Sequence, residues 1–278
     1  MVFNKINNFF LLIILLICSI FSNTDDFYQK EFDFAKNLIS EGEYDRAITS
    51  LKRLNSFYPN NPNKLDNLSL ISKCYYLNQK YIESNNISRS ILEIDKTNWN
   101  SIVNSIKSFQ NLNYYYESNL FIDKHKGYFN NDKLDTLILS SAINHIFLYE
   151  IDQARNKLKD LKINSSLNKE KLNFLKLINE EYPLEMKSKK IATLYSIVPG
   201  GGYVYTNHYQ TALSAFIVNL LFYKATYDAY KTGNDGIGHF CSFLNFSFYF
   251  GSMTGSWQLV DKHNKKLKRD FANKFIIY

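Results

Sequence analysis

Cysteine is almost missing from this sequence, with three residues in 278 and no Cys-x-x-Cys pair. That excludes a disulfide scaffold and a zinc ribbon, which both need paired thiols. Proline occurs 4 times and glycine 10 times, too few for the many turns of a β-sandwich or a propeller. Charge is modest at 21%, against 45% hydrophobic residues with 22 Phe and 21 Tyr, so the chain is not of disordered type. Alanine is also scarce, 10 residues against 33 asparagines. With so much Lys, Ile, Tyr and Phe, this reads as the drift of an AT-rich genome. Small core positions are then expected to be Ser and surface positions Asn. The net charge of +7 carries the same drift and is no sign by itself of an anionic partner.

Recognisable chemistry is lacking too. His125, His145, His208, His239 and His263 are scattered, with none paired at metal spacing and no His-Glu-x-x-His. There is no Gly-x-Ser-x-Gly elbow. Gly200–Gly202 lacks the Gly-Lys-Ser/Thr of a phosphate loop and does not complete Gly-x-Gly-x-x-Gly. No catalytic residue, cofactor site or metal site is expected, and the chain is not read as an enzyme. Asn67, Asn86, Asn164 and Asn245 head Asn-x-Ser/Thr triplets, which a chain rich in Asn and Ser contains by chance.

What is present falls into three blocks. Phe9–Phe21 is an uncharged apolar run behind the single charge Lys5. It is too short for a comfortable membrane crossing and reads as a signal peptide over 1–22, with an uncleaved N-terminal anchor as the alternative.

Residues 27–182 hold apolar residues at three- and four-residue steps and almost no Gly or Pro, a helical pattern. One frame recurs in them. Tyr44/Ala47, Tyr81/Ser84, Tyr115/Ser118 and Ile151/Ala154 are equivalent pairs at spacings of 37, 34 and 36 residues. Nine positions before each stand Ala35, Ser72, Ile106 and Ala142, and apolar partners follow: Leu51/Leu54, Ile91, Ile122 and Leu158/Leu161. Small residues at these places let two helices approach closely, and stacking of such pairs buries a face that no pair buries alone. The string from Gly42 through Tyr44, Ala47 and Leu51 to Pro59 resembles the second helix of a tetratricopeptide repeat. The resemblance implies a solenoid of helical hairpins with a concave surface for a protein or peptide. It carries over no ligand-contact residue, because those positions vary among members. An irregular helical bundle is the alternative.

Composition changes at Lys187–Lys190, and eight of the ten glycines lie beyond it. Ile191–Tyr223 and Gly236–Val260 contain no Asp, Glu, Lys or Arg. Two such stretches, joined across Gly233-Asn-Asp-Gly236, predict a transmembrane helical hairpin within 187–260, with helices near Gln210–Tyr230 and Ile237–Leu259. A buried soluble helix pair is the alternative. Ser247, Gly251 and Gly255 form a small-xxx-small series expected at the helix interface, and Asn219 and Asn245 are expected to pair with each other. A basic tail, 261–278, carries Lys262, Lys265, Lys266, Lys268 and Arg269. Pro199, Gly200, Gly202 and Tyr205 match a recurrent bacterial membrane-hairpin signature, roughly S-x-x-x-P-G-x-G-x-x-Y. Asn207 stands where that signature usually has Gly. This resemblance implies membrane anchoring and no chemistry.

The expected class is therefore all-α, a tetratricopeptide-like helical-hairpin solenoid followed by a transmembrane hairpin. The expected function is an exported, membrane-anchored protein-interaction scaffold of the bacterial cell envelope, in the inner membrane, with repeats on the periplasmic side. Its expected partners are a protein or peptide and the lipid bilayer. The basic tail lacks the interleaved aromatics of a nucleic-acid site, and no small-molecule substrate is indicated. The alternative is a small membrane transport or insertion factor whose hairpin is the active part.

Overall fold

The three- and four-residue spacing produces helices, and no strand occurs among the described residues. A computed structural model describes residues 27–59, 61, 63–162 and 166–276; the signal-peptide segment 1–22 lies outside them. The chain divides into two compact units, one of residues up to Leu148 plus Asp152–Lys171, the other Tyr149–Ile151 plus Leu172–Tyr278.

The first unit is built from α1 (27–40), α2 (Tyr44–Phe57), α3 (Lys64–Leu77), α4 (Tyr81–Ile94), α5 (Trp99–Asn111), α6 (Tyr115–His125), α7 (Asn131–Phe147) and α8 (Ile151–Asp160). Successive helices from α2 to α7 pack side by side, and α3 also packs on α5, the first helix of the following pair. The small positions of the frame are where the helices meet. Ala35, Ser72, Ala142, Ala47, Ser84, Ser118 and Ala154 are each fully buried, and Ile106 nearly so. Around them Leu38, Ile48, Leu51 and Ile71 form one apolar cluster with Tyr44 packed against it. Leu92, Ile102, Ile122 and Leu137 form another. Pro59 lies two residues beyond α2, where no helix could continue through it.

The frame is written into the backbone as well. The turn inside each helical pair contains one left-handed residue two places before the aromatic position: Gly42 at φ 80°, Gln79 at 58°, Asn113 at 60° and Tyr149 at 61°. In the first three turns that residue's N–H bonds the carbonyl three back and the next N–H the carbonyl five back, as in Gln79 to Tyr76 and Lys80 to Tyr75. This closes each helix with the same cap. Only the first turn uses glycine, so the others bear a steric cost of about 1–2 kcal/mol. Gln79→Gly is expected to stabilise the unit by up to about 1 kcal/mol, read as a higher urea midpoint; a lower midpoint would show that the side chain is needed.

Serine at the small positions makes the core partly polar. Ser72 Oγ lies 2.6 Å from Ser88 Oγ and 3.2 Å from Ser84 Oγ, and Ser72 and Ser84 each donate to the other's carbonyl at 2.9 Å. Serine thus replaces the small residue without leaving its hydroxyl dry. In α5, by contrast, the buried hydroxyls of Ser101, Ser105 and Ser108 have no partner among the described residues. Buried Asn144 donates to Ser118 Oγ and Asn119 Oδ1, both at 2.9 Å, and accepts from Gln110 Nε2 at 2.8 Å. It ties α5, α6 and α7 together. Asn67 is fully buried, bonded to Tyr28 and Asn55, so its sequon is no glycosylation site in the folded chain.

Cys74 is buried in the first cluster, and burial pushes its thiol up from 9.0 to about 11. The thiolate is the disfavoured form, so this group's contribution to stability is whole below about pH 9 and falls as pH rises through about 11. At about pH 8.5 the folded chain is expected to leave Cys74 unalkylated by iodoacetamide, while the urea-unfolded chain is labelled there. Equal labelling of both would mean that the first cluster opens.

Candidate functional site

The second unit contains α9 (Asn168–Glu181) from Leu172 on, α10 (Lys189–Tyr195), α11 (Gly201–Tyr205), α12 (Tyr209–Lys231) and α13 (Asp235–Asn273). Its main packing is α12 against α13. The hairpin expected near Gln210–Tyr230 and Ile237–Leu259 is present. Its second helix does not stop at Leu259, however; it runs unbroken through the basic segment to Asn273. Lys262 to Asn273 carry no Gly or Pro to end a helix. Phe271 and Phe275, both buried, stack edge-on with each other, and Phe275 does so with Phe174 of α9. Lys274 adds an ion pair to Glu181 at 2.6 Å.

The signature residues form a tight knot. Gly200 adopts φ 81°, and a side-chain carbon there would lie 2.3 Å from the Ala212 carbonyl oxygen. At Gly202 it would lie 2.3 Å from Ser196 Oγ and 2.5 Å from Ser256 Oγ. These glycines let the chain after Pro199 press against both α12 and α13. Tyr205 accepts the Ser188 N–H on its hydroxyl at 2.9 Å, and Lys187 donates to its carbonyl at 2.7 Å. Asn207, standing in for the signature's glycine, is left-handed at φ 64° and caps α11. Asparagine tolerates that conformation best after glycine.

Three expectations are corrected. Asn219 and Asn245 do not hydrogen-bond to each other: Asn219 Nδ2 donates to Ala215 O at 2.8 Å, and both Oδ1 atoms are buried without a partner among the described residues. Gly251 faces open space and is not an interface glycine, whereas at Gly255 a side-chain carbon would meet the Tyr203 hydroxyl at 2.2 Å. The buried small stripe on α13 is instead Ser252 and Ser256, leading to Val260, one position round the helix from the predicted series. Finally, no helix among the described residues is long and apolar enough to cross a membrane. Length suffices, but Tyr, Ser, Thr, Gly and the two asparagines dilute the hydropathy of α12 and α13.

What the hairpin does have is an inverted distribution of side chains. Along α12 only Ala212, Asn219 and Ala229 are buried, and in the first half of α13 only Gly238 and Ser252. The large residues point outward: Leu213, Leu221, Ile237, Phe240, Phe243 and Phe246 are each 59–67% exposed. Leu194, Ile197 and Val198, in and after α10, are equally bare at 57–68%. A water-exposed fold does the reverse, and contiguous apolar surface of this extent marks an interaction site.

No metal-binding cluster occurs among the described residues. His145 lies 3.3 Å from the Asn119 amide, within the first unit's packing.

No family model matches the chain, and no curated protein matches it. The chain is similar to the crystal structure of a tetratricopeptide repeat protein from Parabacteroides merdae ATCC 43184, at 12% identity and a TM-score of 0.46. The alignment covers 84% of this chain and 98% of the other. The repeat architecture stands on the recurring small positions and left-handed turns.

Proposed function

We propose that this chain is a protein-interaction scaffold held at a membrane, its helical repeats engaging a protein or peptide and its hairpin seated in lipid. The observation that carries the membrane half is the inversion in α12 and α13, small and polar residues inside with Phe, Leu and Ile outside. Lipid favours that arrangement, because helices in hydrocarbon associate through small residues and leave large apolar ones to the acyl chains. Seating in lipid here means burial of the hairpin's apolar surface, not a span across the bilayer. The protein-binding half is supported by the stacked helical pairs, which expose a repeated surface. The location that goes with this reading is a bacterial envelope membrane. The leader-like run Phe9–Phe21 supports placing the repeats on the extracytoplasmic side.

Carbonate and high-salt washes of membranes containing the full chain are expected to leave it in the pellet. A chain that is monodisperse in buffer without detergent would overturn the membrane half. Crosslinking followed by mass spectrometry is expected to place a protein partner on α1–α8; crosslinks confined to α12 and α13 would overturn the scaffold half.

A further inference from the structure

The two basic flanks of the apolar segment, Lys187–Lys190 and Lys262–Arg269, are more than seventy residues apart in sequence. The fold brings them to one level. Lys189 reaches Asp261 at 2.6 Å. Asn264 binds the Lys187 backbone twice, accepting from its N–H at 2.9 Å and donating to its carbonyl at 2.8 Å. From there α10 runs antiparallel beside α13. Thr193 accepts the Trp257 indole N–H at 2.8 Å, and the Ile197 carbonyl lies 3.5 Å from the Tyr249 hydroxyl. Along this shared axis the order is therefore bare apolar side chains, then Trp257 with the tilted ring pair Tyr195 and Tyr205, then cations.

The cations of α13 are arranged for a ligand outside the chain. Lys262, Lys265, Lys266 and Arg269 follow three- and four-residue steps, so they share one helix face, where they line a cleft with Gln258 and Asp261. The adjacent carboxylates are occupied, Asp261 by Lys189 at 2.6 Å and Asp270 by Arg269 at 4.0 Å. That leaves Lys262, Lys265 and Lys266 with no ion-pair partner among the described residues.

We infer that this stripe is a collar for the anionic headgroups of a phospholipid bilayer, fixing the depth to which the hairpin enters. The inference rests on the membrane reading above and names the lipid class. Apolar surface, an aromatic level and then a basic level is the order in which a bilayer presents acyl chains, interface and charged headgroups. Nucleic acid would need no apolar surface beside the cations, and a second copy of this basic stripe would repel the first.

The test is flotation of the full chain, diluted from detergent, with phosphatidylcholine vesicles or with vesicles containing about one third phosphatidylglycerol. Expected is at least about tenfold tighter association with the anionic vesicles, lost when salt rises from about 0.05 M to about 0.5 M. The combined variant K262Q/K265Q/K266Q/R269Q, with unchanged circular dichroism, is expected to bind both vesicles as the wild type binds phosphatidylcholine. The salt series on wild type separates the same outcomes without a variant. Equal, salt-insensitive association with both vesicles would overturn the collar and leave the apolar seating standing. Flotation with neither would remove the membrane reading and the collar together. Tighter retention on duplex DNA than on anionic vesicles, or self-association that masks the stripe, would also overturn it.

Discussion

Gly200→Val is expected to destabilise the second unit by at least about 3 kcal/mol. Valine at φ 81° occupies a region that a β-branched side chain hardly tolerates, which alone costs about 1–2 kcal/mol. The new carbon would also stand 2.3 Å from the Ala212 carbonyl oxygen, a backbone atom of α12 that cannot swing away. Relief requires the knot between Pro199 and Tyr205 to separate from the hairpin. The chain has two tryptophans, so in a W99F background the emission of Trp257, bonded to Thr193, reports this region by itself. A lower denaturant midpoint and a red-shifted native emission are expected. Gly251→Ala is the matched control: it meets open space on a helix and should be neutral or stabilising by up to about 1 kcal/mol. If the two substitutions behave alike, the close approach at Gly200 is misplaced.

Ala47→Trp should be about as damaging to the first unit. Ala47 is fully buried among Ala35, Leu38, Leu51 and Ile71. Overpacking a core by single methylenes already costs about 1–3 kcal/mol, and an indole is far larger than that. Loss of about 3 kcal/mol or more is expected, with hydrogen-exchange protection falling first in α1, α2 and α3. Unchanged protection in those helices would refute the placement of Ala47 at a helix crossing. No comparable loss is expected at neighbouring exposed Asp45, even though Lys80 bonds its carboxylate at 2.8 Å and holds its pKa below the usual range. An exposed ion pair contributes little because water and salt screen it.

The contrast between the two units shows how much was readable. In the repeats, residue size and spacing were enough. Tyr44, Tyr81 and Tyr115 recur with a small residue three places on, and each such small residue is buried. Serine standing at small positions weakened the pattern without hiding it, because Ser72, Ser84 and Ser88 satisfy one another. The recurring left-handed residue was not legible, since Gln79 and Tyr149 carry no turn signal. That conformation is imposed by the cap between two packed helices, not by local preference.

In the second unit the membrane crossing failed on hydropathy, and the packing predictions failed on rotation about a helix axis. The Ser247, Gly251, Gly255 series and the buried Ser252, Ser256, Val260 stripe differ by one residue, about 100° of turn. Both are small-xxx-small patterns in the sequence, and only the approach of α11, with Gly202 against Ser256, selects one. The same dependence separated Asn219 from Asn245.

The amino-acid sequence by itself determined an all-α chain, the period of its helical pairs, the hairpin and the change of composition at Lys187–Lys190. Each of these follows from composition and spacing along one dimension. Only the tertiary structure decided which faces are covered, that α13 continues to Asn273, and that Lys189 and Asp261 meet at 2.6 Å. Burial and charge proximity are properties of pairs of elements, and no periodicity within one element fixes its rotation or its neighbour.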